Sequence, residues 1–388
     1  MNKLLRKALV FLTIFAVVFS MTGCGDTSWI VKVDDVTVNS GMYIYYQGVG
    51  YTSAVYTLAA DDSTYYYYYL FGYSLLDETV DDTTVREYMN EYAVDMCKQY
   101  VVVSKLFDEL GLELTETELE NIETQVANTW EQNSETYEAA GISEDTIEKV
   151  AIVTIKEEDV FNAYYEVGGL NGTTEDDIKD YLEDNYARIK YITFEFSESA
   201  DDAVDEDYKA EMLEVANSYL ERAEAGESMD DLIAEYDEIL AAAEAEESED
   251  EETEEDAEET TEETEDEVED VEVEETESDE EEDPYANESI VSIEGDSPSE
   301  KFINYVFTVC NVGEYAVIQD DTCFYLVERL DILERDDLYE ENRDSYLEAL
   351  FDDAYTTLIN EKLATYEVEV NDKSVKRYTQ ERALGFDS

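Results

Sequence analysis

Histidine is missing from all 388 residues, and this absence limits the available chemistry more than any residue present. It removes Ser-His-Asp and Cys-His catalysis, histidine-ligated zinc and haem, and the commonest general base near neutral pH. There are four cysteines, Cys24, Cys97, Cys310 and Cys323, with no C-x-x-C spacing and no dense framework. Cys97 falls at an apolar position of a predicted helix and reads as a small core hydrophobe. Cys310 and Cys323 lie on neighbouring predicted elements, where they either pair or stay free. Acids are abundant, 104 Asp and Glu against 23 Lys and Arg, for a net charge of −81. Among so many carboxylates no catalytic pair stands out, and no D-x-D-x-D-G calcium loop occurs. No cofactor is indicated. Nucleic acid and anionic membrane surfaces are poor partners, because both need a basic patch.

Cys24 is the cysteine whose setting carries chemistry. Lys3, Arg6 and Lys7 precede an apolar run from Ala8 to Phe19, and Ser20-Met21-Thr22-Gly23-Cys24 follows. A basic end, an apolar run of roughly 7–15 residues and small residues at a cut site make a secretory signal. The run is too short to span a bilayer, which takes about 20 apolar residues. Met21-Thr22-Gly23-Cys24 resembles the bacterial lipobox, with Met21 where Leu is usual. That resemblance implies cleavage after residue 23, a lipid on Cys24 and an extracytoplasmic position for the rest. The competing reading is an ordinary secretory signal with an incidental cysteine.

The elements behind this leader follow from periodicity and capping. Trp29 to Val38 reads as strand with a turn at Asp34-Asp35. Thr84 opens a long helix whose apolar positions run from Val85 through Met96 and Leu106 to a stop at Gly111. Thr115 with Glu118 forms a capping box for the next helix, with Leu119, Ile122 and Val126 on its apolar face. Ser143 and Thr174 open two more. Ile189 to Phe196 reads as strand, followed by a helix through Tyr208, Met212 and Tyr219 and a short one through Met229, Leu232 and Tyr236. Residues 244–283 hold no Lys or Arg and almost nothing apolar, so they repel themselves and form a predicted disordered insertion. A strand at 290–293, a helix at 300–309, a hairpin turning at Asp320-Asp321, a helix from Tyr339 to Tyr366 and a strand-like end at Val368–Val370 complete the chain. The order implies an α+β protein: one helical lobe from both ends of the chain, with a small α+β domain spliced between them.

That order resembles the PrsA- and SurA-type secretion foldases, whose helical chaperone lobe carries a parvulin-type peptidyl-prolyl isomerase domain. Val31-Lys32-Val33-Asp34-Asp35-Val36-Thr37-Val38 looks like the family's opening hairpin, and 174–192 like the helix that feeds the first parvulin strand. Gly226-Glu227-Ser228-Met229-Asp230-Asp231-Leu232-Ile233-Ala234 is similar to the parvulin G-x-x-F-x-x-L-A helix, with Met229 in place of Phe. Phe302 to Phe307, Val312-Gly313-Glu314 and Phe324-Tyr325-Leu326-Val327 look like the domain's closing helix and hairpin. The resemblance implies a lipoprotein signal at 1–23, a helical chaperone-like region at 24–185, a parvulin-like domain at 186–333 with an acidic insertion at 243–285, and a C-terminal helix at 334–388 completing the lobe.

The same resemblance implies a foldase at a Gram-positive surface, held by lipid on Cys24, with unfolded or partly folded secreted polypeptides as partners. Its peptide-binding residues are expected at Tyr191, Met229, Phe302 and Phe324. Tyr191 and Phe324 stand where the family has its two pocket histidines, and the polar position between them falls near Ile239. Loss of those histidines implies weak or absent isomerase activity. A different class of function, a solute- or surface-binding lipoprotein without chaperone activity, stays open; solute receptors show repeated βαβ alternation, which 84–186 lacks.

Tyrosine is the most distinctive positive feature, 32 in all. Most read as packing on helix faces. Tyr65 to Tyr69 differ, because five consecutive rings cannot all face one core, and an exposed loop or edge strand is expected there.

Overall fold

Local capping chemistry sets where most of the helices begin and end. The computed structural model of the protein describes residues 28–196, 206–251 and 283–385; the leader, Cys24 and residues 252–282 lie outside them. Strands β1 (Trp29–Val33) and β2 (Val36–Asn39) lead into α1 (Ser40–Asp61) and the short α2 (Thr64–Leu70). The two-residue strands β3 (Thr79–Val80) and β4 (Thr83–Thr84) form a hairpin before α3 (Val85–Leu110), which is followed by α4 (Glu116–Ala140) and α5 (Glu144–Tyr165). Thr84 with Glu87 and Thr115 with Glu118 are both complete capping boxes. Gly111 and Gly141 end these helices at φ 70° and 94°, where a side chain would be strained.

Next come α6 (Glu175–Asn185), β5 (Tyr186–Glu195), α7 (Glu206–Glu224) and α8 (Met229–Glu251). After the tract, β6 (Ser289–Ser292), α9 (Glu300–Thr308), β7 (Tyr315–Gln319) and β8 (Cys323–Leu330) lead to a 3-10 turn at Ile332–Glu334. The long α10 (Asp336–Leu363), β9 (Val368–Val370), α11 (Asp372–Val375) and α12 (Gln380–Leu384) finish the chain. Among the described residues no helix is long and apolar enough to cross a membrane.

The fold is α+β. It divides into two compact units, Met1–Thr174 with Ala349–Ser388, and Glu175–Glu348. In the first, β1 lies between β2 and β9, so the two ends of the chain share one antiparallel sheet, with Val31 opposite Val370 and Val33 opposite Val368. Buried Gln47 ties α1 to both neighbours, donating to Asn90 at 3.3 Å and to the Tyr378 carbonyl at 3.3 Å. Lys362 pairs with Glu109 at 2.9 Å, and Arg86 with Glu381. The helical lobe is thus built from both chain ends.

The second unit is a four-stranded antiparallel sheet ordered β6-β5-β8-β7. Its α7 and α8 pack on one face through Ala216, Tyr219, Leu232 and Tyr236, against Ile192, Phe194 and Leu326. Its α9 packs on the other through Phe302, Ile303 and Val306, against Ile189, Ile318 and Val327. The compact units divide at 174/175 and 348/349, where the sequence bounds stand at 185/186 and 333/334. The physical reason is packing. Ile178 and Leu182 of α6 are fully buried, Tyr186 meets Tyr346 at 5.4 Å, and Glu175 accepts from Tyr339 at 2.6 Å, all within the sheet unit.

The helix α1 was not legible, because it is apolar nearly all round and carries no charge before Asp61; Gly50 lets it approach α3, since a Cβ there would lie 3.0 Å from the Tyr92 ring. Two further expectations are corrected. Leu119, placed on the apolar face of α4, is exposed, while Ile122 and Val126 are buried. The insertion read as 243–285 is structured at both ends: α8 runs to Glu251, through good helix formers such as Ala241, Ala242 and Ala243. At its far end Tyr285 lies under the Arg335 guanidinium at 3.6 Å.

Candidate functional site

Alternation along β5 and β8 decides which side chains can form a site on the sheet unit. Successive residues point to opposite faces, and the register sets Tyr191 opposite Val327, Thr193 opposite Tyr325 and Phe194 opposite Phe324. Tyr191, Cys323 and Tyr325 therefore share the face covered by α9. Ile192, Phe194, Phe324 and Leu326 share the face covered by α7 and α8. The four expected peptide-binding residues split between these faces. Tyr191 and Phe302 meet at 5.4 Å, whereas Phe324 packs on Phe196 at 4.7 Å and Met229 is buried beside it in the opposite layer. The structure does not bring the four together. Ile239 sits on the exposed side of α8 and joins neither group.

The residue that sequence reasoning missed is Tyr325, one position beyond Phe324. Its ring lies 4.8 Å from Phe302 and 5.9 Å from Tyr191, closing an aromatic trio. A one-residue step along a strand changes its face, so the signal was the parity of Tyr325 with Cys323 and Val327. The Tyr325 hydroxyl is hydrogen-bonded with the Cys323 thiol, and burial pushes both groups up from their ordinary values. Ser299 caps α9 by accepting from the Phe302 amide at 3.1 Å and donates its hydroxyl to Asp320. Arg329 donates to the Val306 carbonyl at 2.8 Å and the Cys310 carbonyl at 2.9 Å, satisfying the C-terminal end of α9.

Two of the three rings are covered: Phe302 and Tyr325 are buried, and Tyr191 is half-buried beside them. Phe302 is 0% exposed, so its ring faces only the protein. The groove described on this unit lies elsewhere, between the end of β6 and α9, with a volume of about 350 Å³ and a lining that includes Ile293, Asp296, Glu300, Ile303 and Phe307. Cys97, Cys310 and Cys323 are free and buried, so the open question of a Cys310–Cys323 pair resolves to two thiols. Among the described residues no group of His, Cys, Asp or Glu side chains is arranged to hold a metal ion.

A second aromatic cluster, in the helical unit, is open. The run Tyr65–Tyr69 forms most of the helix α2, where a loop or edge strand was expected. Helical spacing explains how consecutive rings are shared out. Tyr65 and Tyr69, four apart, lean onto the core of Leu75, Leu76, Val80 and Met89. Tyr66, Tyr67 and Tyr68 point outward, with Tyr67 58% exposed. The chain then reverses at Gly72, φ 73°, so that Tyr73 returns across Tyr68 at 5.7 Å. Tyr56 of α1 stacks on Tyr66 at 6.1 Å. Phe71 and Tyr73 are 76% and 61% exposed, and Leu70 and Tyr56 are exposed beside them. Tyr51 anchors the tip from below, accepting from the Leu75 amide at 3.2 Å and donating to the Tyr73 carbonyl at 3.3 Å. The cluster is an array of rings facing water. Sequence reading found the run 65–69 but missed Tyr56, Phe71 and Tyr73, which only the reversal at Gly72 gathers.

The chain is similar to PrsA foldases of known structure. The foldase protein PrsA from Lactococcus lactis matches at 10% identity and a TM-score of 0.31, covering 91% of this chain and 99% of that one. PrsA from Streptococcus pneumoniae matches at 14% identity and a TM-score of 0.28, over 75% and 90%. PrsA from Bacillus subtilis matches at 12% identity and a TM-score of 0.22, over 81% and 94%. No protein-family profile matches the chain, and no curated protein matches it in sequence. The functional reading below rests on the chain's own residues.

Proposed function

We propose that this protein is an extracytoplasmic foldase of the holding kind, anchored by lipid on Cys24, that binds unfolded secreted polypeptides and has little or no isomerase activity. The observation that carries the reading is the open tyrosine tip. Large contiguous apolar surfaces are uncommon on soluble chains and mark places where another molecule docks. Tyrosine gives wide contact area, a polar handle and little rotamer entropy to lose, which suits transient contact with many sequences. The high negative charge would keep a bound, aggregation-prone chain in solution by repulsion between complexes.

The buried Phe302 ring argues against isomerase activity. Turning an X-Pro bond means lowering a barrier of about 18–20 kcal/mol, and the twisted amide must first be enclosed. Phe302 offers no open ring for that purpose, and no histidine is present. The solute-receptor reading finds no support either, since the described strand pairs are antiparallel rather than wound as parallel α/β lobes.

The test is light scattering from a chemically unfolded secreted protein diluted into buffer with the mature chain. Suppression at stoichiometric amounts, lost on combined Tyr67→Ser and Phe71→Ser substitution, is the expected result. Unchanged aggregation at every ratio would sink the reading. Nuclear magnetic resonance exchange on a short X-Pro peptide tests the second half: no acceleration of cis/trans exchange is expected, and a clear acceleration would make the protein an isomerase.

A further inference from the structure

Resting on that reading, we propose that the tyrosine tip selects one class of polypeptide, extended segments in which Lys or Arg stands beside aromatic or other apolar residues. The exposed rings of Tyr56, Tyr66, Tyr67, Tyr68, Phe71 and Tyr73 present π faces to water, and such faces attract ammonium and guanidinium groups within about 6 Å of the ring centre. Among the described residues no Lys or Arg is seated on any of these rings. Between Lys32 and Arg86 the sequence holds neither Lys nor Arg. Arg86, the first to follow, is bound to Asp77 at 3.1 Å and to Glu381.

The same segment supplies carboxylates at the edge of the rings. Tyr65 donates to Glu78 at 3.4 Å, and Asp62 accepts from the Thr64 amide at 2.9 Å at the start of the ring-bearing helix. The negative charge of Glu78 pushes the Tyr65 hydroxyl up from its ordinary value, which places that charge close to the ring array. Asp61, Asp77, Asp81 and Asp82 are exposed in the same stretch. An apolar array edged by acids, where Arg86 is already held by Asp77 and Glu381, complements a segment that is apolar and basic. A second copy of this chain is disfavoured as occupant, because each copy carries −81. The acidic tract of the same chain is disfavoured for the same reason.

Fluorescence anisotropy with the mature chain and three labelled peptides tests this. The peptides share their Phe and Leu positions and differ only in carrying Lys, Gln or Glu between them. The Lys peptide is expected to bind about tenfold tighter than the Gln peptide, with the Glu peptide weakest and the gap shrinking at high salt. Asp62→Asn with Glu78→Gln is expected to narrow the gap between Lys and Gln peptides while leaving the Gln peptide unchanged. Tyr67→Ser with Phe71→Ser, both at exposed positions, is expected to abolish binding of all three without changing the melting curve. Equal affinity for Lys and Gln peptides would overturn the selectivity while leaving polypeptide binding intact. A Lys preference that survives the Tyr67/Phe71 substitutions would place the cation site elsewhere and overturn the proposal. Binding of none of the peptides would remove both the proposal and the reading beneath it. Concentration-dependent self-association abolished by the same substitutions would make a second copy the occupant, and that too overturns it.

Discussion

Two aromatic clusters in this chain are built from the same kinds of ring and have opposite relations to water. In the sheet unit Tyr191, Phe302 and Tyr325 close on one another between β5, β8 and α9. In the helical unit Tyr56, Tyr66 to Tyr68, Phe71 and Tyr73 stand open around α2. The difference lies in what covers them. Ser299 starts α9 over the sheet and Arg329 ties down its far end, so a capped helix lies over the first cluster and its Phe302 and Tyr325 rings are buried. Around α2, by contrast, Tyr66, Tyr67, Tyr68, Phe71 and Tyr73 are all left exposed. Rings that a protein covers serve stability, and rings that it leaves open are available to a partner.

The largest expected break in this contrast is Phe302→Ala. Removing a fully buried ring costs about 3–5 kcal/mol, so chemical denaturation should show the sheet unit losing most of its stability while peptide binding at the tip persists. Next comes Glu288→Ala. Glu288 holds buried Arg188 at 2.7 Å and Arg335 at 3.3 Å, fixing the chain that returns from the acidic tract. Leaving buried Arg188 without the carboxylate it shares with half-buried Arg335 should cost about 3 kcal/mol in the same measurement.

A smaller effect, opposite in sign, is expected at Glu157 in the helical unit. Burial raises its carboxyl above the ordinary value despite a hydrogen bond from Gln99. A raised folded value means that the ionised form opposes folding. The contribution to stability is full at pH below the unfolded value and is lost as pH rises through the folded one. Glu157→Gln should therefore melt a few degrees higher than the parent near neutral pH, with the difference closing in acid; a lower melting temperature at neutral pH would contradict this. The smallest effect belongs to the tip. Tyr67→Ser and Phe71→Ser should each change stability by less than about 0.5 kcal/mol, in contrast to Phe302→Ala.

Much of this fold was legible where local chemistry is strong. Thr84, Thr115, Gly111 and Gly141 mark helix ends by caps that depend on a few neighbouring residues. The hairpin of β7 and β8 was visible from apolar runs flanking Asp320-Asp321. Failure came where tertiary contacts decide. The helix α1 hides its period because most of its faces are buried, with Gly50 explained only by Tyr92 across from it. Phe324 was placed by its match to the family's pocket histidine, and the register sets it on the face opposite Tyr191 and Tyr325. In the tip, Tyr65 to Tyr69 were seen as a contact surface, yet their division into inward and outward rings needed the helix.

The most direct measurement compares the two clusters on one client. A photoreactive aromatic residue is placed at Tyr67 in one version of the mature protein and at the buried Phe302 in another, and each is irradiated with a chemically unfolded secreted protein. Covalent adducts at position 67 and none at position 302 are the expected result. Adducts at 302 without adducts at 67 would contradict it, because the covered cluster would then be the surface that holds chains.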